Sequence, residues 1–196
     1  MKFFIDNWIR SLPFLILLSC IFCTLIYLID GFDIEFFIWL ALPALFIHQA
    51  EEYLFVKYNF FRDYFNKEIF NSEQKKFPLT DGLAFYINVI FGWSVICFAN
   101  LSGNVYFILF AVSMLSVNGI FHIIAFIRAG FKKVPGLYSS IFILIPYGLF
   151  ILFYFLKLGL ISSYFIYAFF IIGFLLNVLI VSLILINYKL NIKKLI

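Results

Sequence analysis

His48, Glu51 and Glu52 stand at i, i+3 and i+4 in the run His48-Gln49-Ala50-Glu51-Glu52, so on a helix they share one face. A second imidazole, His122, follows Asn118 by four residues, and the chain has only 2 histidines. Two neighbouring carboxylates in a low-dielectric site resist carrying their charges together, and a divalent cation reverses this while recruiting neutral imidazole. Imidazole with carboxylate suits Zn²⁺, and after it Fe²⁺; Ca²⁺ or Mg²⁺ would ask for more oxygen ligands. Two His with one Glu is the ligand set of catalytic zinc sites that keep a position open. The residues therefore point to His48, Glu52 and His122 as metal ligands. Glu51 is then the base handling the proton of a bound water, and Asn88 and Asn118 are outer contacts to the ligands or to substrate. Glu51 and Glu52 are interchangeable at this level. A two-iron hydroxylase would need more histidines than the chain owns.

The elements that must position these groups are membrane spans. The chain is 65% hydrophobic and 12% charged, with mean hydropathy +1.09, against roughly 45–50% apolar and 25% charged in soluble domains. A span needs about 20 residues, and six apolar runs approach or exceed that: Leu12–Ile29, Phe36–Val56, Leu83–Ala99, Asn104–Ile127, Leu137–Leu156 and Leu160–Ile186. They predict an all-α bundle of six transmembrane helices with short connections, one integral membrane domain over 1–196. The first run follows Lys2 and Arg10 as a signal peptide would. It is longer than a signal core and no small-x-small cleavage pattern follows, so an uncleaved span is expected. Within the second run an ionisable group costs about 2.5–3.5 kcal/mol at the bilayer centre and less toward the interface. His48, Glu51 and Glu52 are expected to face the bundle interior, where such groups bind an ion, a proton or one another.

With six spans and the N-terminus inside, every Lys and Arg of the 14 except Lys157 falls in an inside segment. The positive-inside rule then puts both termini in the cytosol. His48 lies about 12 Å, and Glu52 about 6 Å, short of the inner end of the second span at Val56, at about 1.5 Å per residue. Asn88, Asn118 and His122 fall toward the same inner ends of the third and fourth spans, which favours one shared site. In the loop 57–82, Phe60, Phe61, Tyr64 and Phe65 form one face of a short helix expected to lie at the membrane interface. Its interleaved Asp63, Glu68 and Glu73 speak against nucleic acid. Thr80 or Asp81 is expected to cap the third span. Cys20, Cys23 and Cys97 sit in spans and read as apolar core rather than ligands or a disulfide framework. Pro13, Pro43 and Pro146 are expected to kink or start helices.

His48-Gln49-Ala50-Glu51-Glu52 resembles the motif of the HXXEE family of small, mostly bacterial, integral membrane proteins. Asn118-x-x-x-His122 and Pro135-Gly136-Leu137-Tyr138-Ser139 resemble that family's later features, and the resemblance spans roughly 37–150. It implies a metal-dependent membrane enzyme of open reaction in the cytoplasmic membrane of a bacterium. Residues and resemblance together lead to the expectation of metal-assisted hydrolysis, or a related transformation, of a lipid or amphiphile at the cytosolic leaflet. Arg128, Lys132 and Lys133 offer a basic rim for an anionic headgroup. Rival readings are an ion- or proton-coupled transporter using the glutamates as a relay, polar groups that merely hold helices together, and a subunit whose triad binds another membrane protein. The absence of a detectable repeat speaks mildly against a carrier. Substrate, metal identity and oligomeric state are left open.

Overall fold

The chain's own hydropathy pattern sets the architecture, seen in a computed structural model that describes residues 2–70 and 78–192. Glu73, Lys75, Lys76, Lys193 and Lys194, which entered the charge argument, lie outside them. In chain order the elements are α1 (Lys2–Asp30), α2 (Ile34–Phe55), a short α3 (Phe60–Tyr64, continued by a wide turn Phe65–Ile69), α4 (Asp81–Ser102), α5 (Val105–Arg128), α6 (Leu137–Lys157) and α7 (Tyr164–Ile192). All but α3 are long and apolar enough to cross a membrane, making six spans, and no strand occurs among the described residues. The chain is a multi-pass helical membrane protein. α1 starts ahead of its apolar run, and that added length carries Trp8 and Ile9 into the core.

At the extremes of hydropathy, the least apolar span is well buried and the most apolar is not. The windows of α5 and α2 are 61% and 56% buried, whereas those of α1 and α7 are 17% and 22% buried. α2 has the lowest mean hydropathy of the six and α7 the highest, 1.2 against 3.0. The polar residues of α2 are tolerated because other helices surround it, and the most apolar helix faces lipid.

Pro43 lacks an N–H and its ring crowds the carbonyl four residues back, which interrupts α2 at Trp39–Leu40. The polar backbone there is met from outside: Tyr147 O–H donates to the carbonyls of Phe37 and Ile38 at 3.1 Å, and Asn100 Nδ2 donates to Ile38 at 3.4 Å. Three further wide, π-helical turns occur in spans, at Glu51–Phe55, Tyr86–Trp93 and Ser140–Leu144. Such turns re-aim side chains and recur at functional sites. Pro146 opens the regular part of α6 just after the third of them.

α3 has the expected aromatic face, but that face is turned inward. Phe61 packs at a tilt against Tyr53 of α2, with ring centroids 5.7 Å apart, and the half-buried Phe60, Phe61, Tyr64 and Phe65 line a cavity in the bundle. Arg62 pins α3 by pairing with Asp63 and with Asp81 at the start of α4, and Asn66 exchanges two hydrogen bonds with the backbone of Leu79. Burial disfavours the Arg62 charge, yet the two carboxylates outweigh it and hold the guanidinium above its usual range. Thr80 caps α4, its hydroxyl accepting from Leu83 N–H at 3.1 Å.

Close approach of α5, α6 and α7 depends on small residues. A Cβ on Gly148 would fall 1.5 Å from Ser116 Oγ, and one on Gly173 would fall 2.5 Å from the Ser113 carbonyl oxygen. Gly148→Val should therefore lower the stability of the detergent-solubilised protein by about 1–3 kcal/mol or more. Gly82→Ala, in the open first turn of α4, should leave the thermal midpoint unchanged or slightly raised.

Candidate metal centre

α2 and α5 cross so that His48 and Glu52 of one meet His122 of the other. Each offers a ligand atom, and these atoms all lie within 4.8 Å of one another. Glu52 Oε1 is 3.2 Å from His122 Nε2 and 3.6 Å from His48 Nε2. Ligands about 2.0–2.2 Å from a tetrahedral Zn²⁺ are spaced about 3.3–3.6 Å apart, so the donors fit such an ion in type and in these two spacings. Asn118, one turn before His122, reaches both rings: its Nδ2 lies 3.1 Å from His48 Nε2 and 3.4 Å from His122 Nε2. His48, Glu51, Glu52 and His122 are each no more than 8% exposed.

Gly136 closes one side of the cluster. It sits at φ +74°, and a Cβ there would come within 2.8 Å of His48 Cε1 and 3.0 Å of both Glu52 Cγ and His122 Cε1. Only glycine combines that backbone with that approach. The opposite side opens on the cavity of about 880 Å³, which His48, Glu52, His122, Asn118 and Asn88 all line.

Glu51, expected to face a bound water, points elsewhere. Its carboxylate accepts the backbone N–H of Tyr138 at 3.0 Å and of Ser139 at 2.7 Å, the free amides that open α6. The Ser139 hydroxyl adds a third bond at 2.6 Å. Gly136 has no side chain to cap α6, so Glu51 supplies the anion that a helix N-terminus favours. Both of its oxygens are engaged in this task. Because Ser139 spends its proton on Glu51, its oxygen is free to accept, and His48 Nδ1 stands 2.9 Å away. The network thus assigns the proton of His48 to Nδ1 and leaves the Nε2 lone pair facing Glu52 and Asn118.

Asn88 also lies apart from the cluster. It accepts from Gln49 Nε2 at 3.1 Å and donates to Tyr53 O–H at 3.1 Å, while Trp93 Nε1 donates to Gln49 Oε1 at 2.8 Å. This neutral network joins α2 to α4 on the next face of α2. Of the residues singled out from the sequence, His48, Glu52, His122 and Asn118 are brought together; Glu51 is linked through Ser139, and Asn88 borders the same cavity. Ser139, Gln49, Tyr53 and Trp93 were not singled out for a role. The signals available were Gln49, a polar residue inside a span, and Ser139, at the end of the Pro135–Ser139 stretch that carries part of the resemblance.

Glu51→Ala should strand buried donors at the start of α6 and cost about 1–3 kcal/mol for each. Glu51→Gln, which keeps an acceptor, should cost less. Gly136→Ala should destabilise by at least about 1–2 kcal/mol from its left-handed backbone alone. Thermal unfolding in detergent reads all three, and a Glu51→Ala protein as stable as the parent would contradict the capping role.

No curated protein and no solved structure matches the chain. The family described as "protein of unknown function with HXXEE motif" matches residues 39–151. That segment runs from α2 to the middle of α6 and contains the cluster, Gly136 and the Glu51–Ser139 link. The chain belongs to the HXXEE family.

Proposed function

We propose that the protein is a metal-dependent membrane enzyme that hydrolyses or otherwise transforms a lipid or amphiphile at the cytosolic leaflet of a bacterial cytoplasmic membrane. The observation that carries this reading is the convergence of two imidazoles and a carboxylate, all buried, at one side of a largely apolar cavity. His48, Glu52 and His122 would hold the ion, Zn²⁺ before Fe²⁺. When bound, such an ion supplies Lewis acidity toward a carbonyl or phosphoryl oxygen.

The remaining steps belong to the chain. Ser139 and Glu51 hold the His48 ring and fix which nitrogen carries its proton, the arrangement that raises the basicity of a ligating imidazole. The Asn118 amide, between both rings and lining the cavity, is placed to donate to a substrate oxygen. Glu52, not Glu51, is the carboxylate that borders the cavity, so it is ligand or base while Glu51 positions. The aromatic side chains of α3 line the cavity beside the cluster, an apolar surround in which electrostatic interactions are stronger than in water. The cytosolic placement is supported by the distribution of Lys and Arg.

Metal analysis of the purified protein by mass spectrometry should find close to one equivalent of Zn per chain. His48→Ala and His122→Ala should lose it, and Ser139→Ala should weaken Zn²⁺ binding by about 10–100-fold while costing about 1–3 kcal/mol of stability for the donor it strands on His48. Less than about a tenth of an equivalent, unchanged in His48→Ala, would remove the metal reading. Reconstitution with bilayer lipids separates enzyme from transporter. Lipid turnover lost in Glu52→Gln supports the enzyme, whereas solute flux lost in Glu52→Gln without any lipid product supports the relay.

A further inference from the structure

The shape and charge of the cavity narrow the substrate class. On α5 its lining extends from Met114 to Arg128, fourteen positions or about 21 Å of helix, which exceeds the half-thickness of about 15 Å of a bilayer's hydrocarbon core. α4 and α7 form the two flanks, with Ile87 and Phe91 on one and Ile180 and Val181 on the other. α7 packs on α5 and hardly touches α4, so the trough lies between helices rather than inside a closed ring. Its volume of about 880 Å³ is at the upper end of the roughly 300–1,000 Å³ usual for small-molecule sites.

One mouth of the trough carries charge. At the α5–α6 end it meets Arg128, Lys132 and Lys133, all exposed. The α3-side cations are neutralised within the chain: Arg62 by Asp63 and Asp81, Lys57 by Asp63, Lys67 by Glu68. Arg128, Lys132 and Lys133 form no ion pair with any described residue. At that mouth the carboxylates in the lining are Glu68, already paired with Lys67, and the buried Glu52. Three cations unpaired among the described residues, at one end of an apolar trough about one leaflet long, complement one kind of molecule.

We infer that the cavity binds a membrane lipid with an anionic phosphate headgroup. The headgroup meets Arg128, Lys132 and Lys133, and a chain lies over α5 between α4 and α7. This deepens the amphiphile reading above and rests on it. In such an orientation the bonds joining headgroup to chain pass beside His48, Glu52 and His122, and no water-filled route from the outside is needed.

The test is lipid titration of the chelator-treated full chain in neutral detergent, read by native mass spectrometry with phosphatidylglycerol and phosphatidylcholine. Phosphatidylglycerol should bind at least about tenfold tighter. Each mouth cation should contribute about fivefold, so Arg128→Gln/Lys132→Gln/Lys133→Gln should erase the preference. The same loss of charge elsewhere, Lys2→Gln/Arg10→Gln/Lys189→Gln, should preserve it. Val181→Trp, or Ile87→Trp from the opposite flank should the first not fold, should weaken both lipids by filling the trough. Equal binding of the two lipids, or equal effects of the two triple variants, would overturn the headgroup assignment. Unchanged binding in the trough variants would overturn the chain's place. Because no metal is present, this outcome is independent of whether the zinc measurement succeeds.

Discussion

Adjacent carboxylates on one helix point about 100° apart, and in this protein that angle divides two tasks between two helices. Glu51 turns to α6, where two amides and a hydroxyl meet it. Glu52 turns to α5, where His122 meets it at 3.2 Å. A carboxylate sunk in a bundle is tolerable only when donors or a cation answer it, so the positions of α5 and α6 against α2 are tied to these two side chains. Gly136 follows from the same constraint. The turn that brings the α6 amides to Glu51 also presses its backbone against Glu52 and both imidazoles, where no Cβ fits.

The spans were legible because lipid-facing helices must be apolar throughout, and the six runs recur in the fold with shifted ends. The pairing of α2 with α5 at the site was legible too. Spacing put His48 and Glu52 on one face, and topology put His122 at a matching depth. The division of labour between Glu51 and Glu52 was not, since helical periodicity gives a face but not the neighbour it meets. Ser139 escaped for the same reason. Its significance comes from Glu51 and His48, 88 and 91 positions away, and nothing local to Pro135–Ser139 reveals them. The inward turn of α3 was hidden because an aromatic stripe suits a membrane surface and a cavity lining equally well. The clue was Arg62 in register with Asp81, a pairing across the loop that composition alone does not display.

The two polar networks on α2 show how differently a bundle can use buried groups. Gln49, Asn88, Tyr53 and Trp93 form a neutral set in which each link has a donor and an acceptor. It needs nothing further and suits a role in holding α4 to α2. Among the described residues every buried side-chain polar atom has a partner, so neither network strands a group outright.

The second network is balanced differently. The Ser139 link leaves a lone pair on His48 Nε2, and Glu52 Oε1, an acceptor when ionised, stands 3.6 Å from it. Two acceptors facing one another are unfavourable unless a positive centre serves both. Asn118 offers one amide to both imidazoles, and His122 can offer Glu52 one proton. A proton satisfies such a pair transiently, which is the transporter's requirement; a divalent ion satisfies all three ligands together, which is the enzyme's. Helix-holding alone requires neither, and the neighbouring network already does that with neutral groups. What sets His48, Glu52 and His122 apart from the neutral set is therefore a group of donor atoms that could hold a cation.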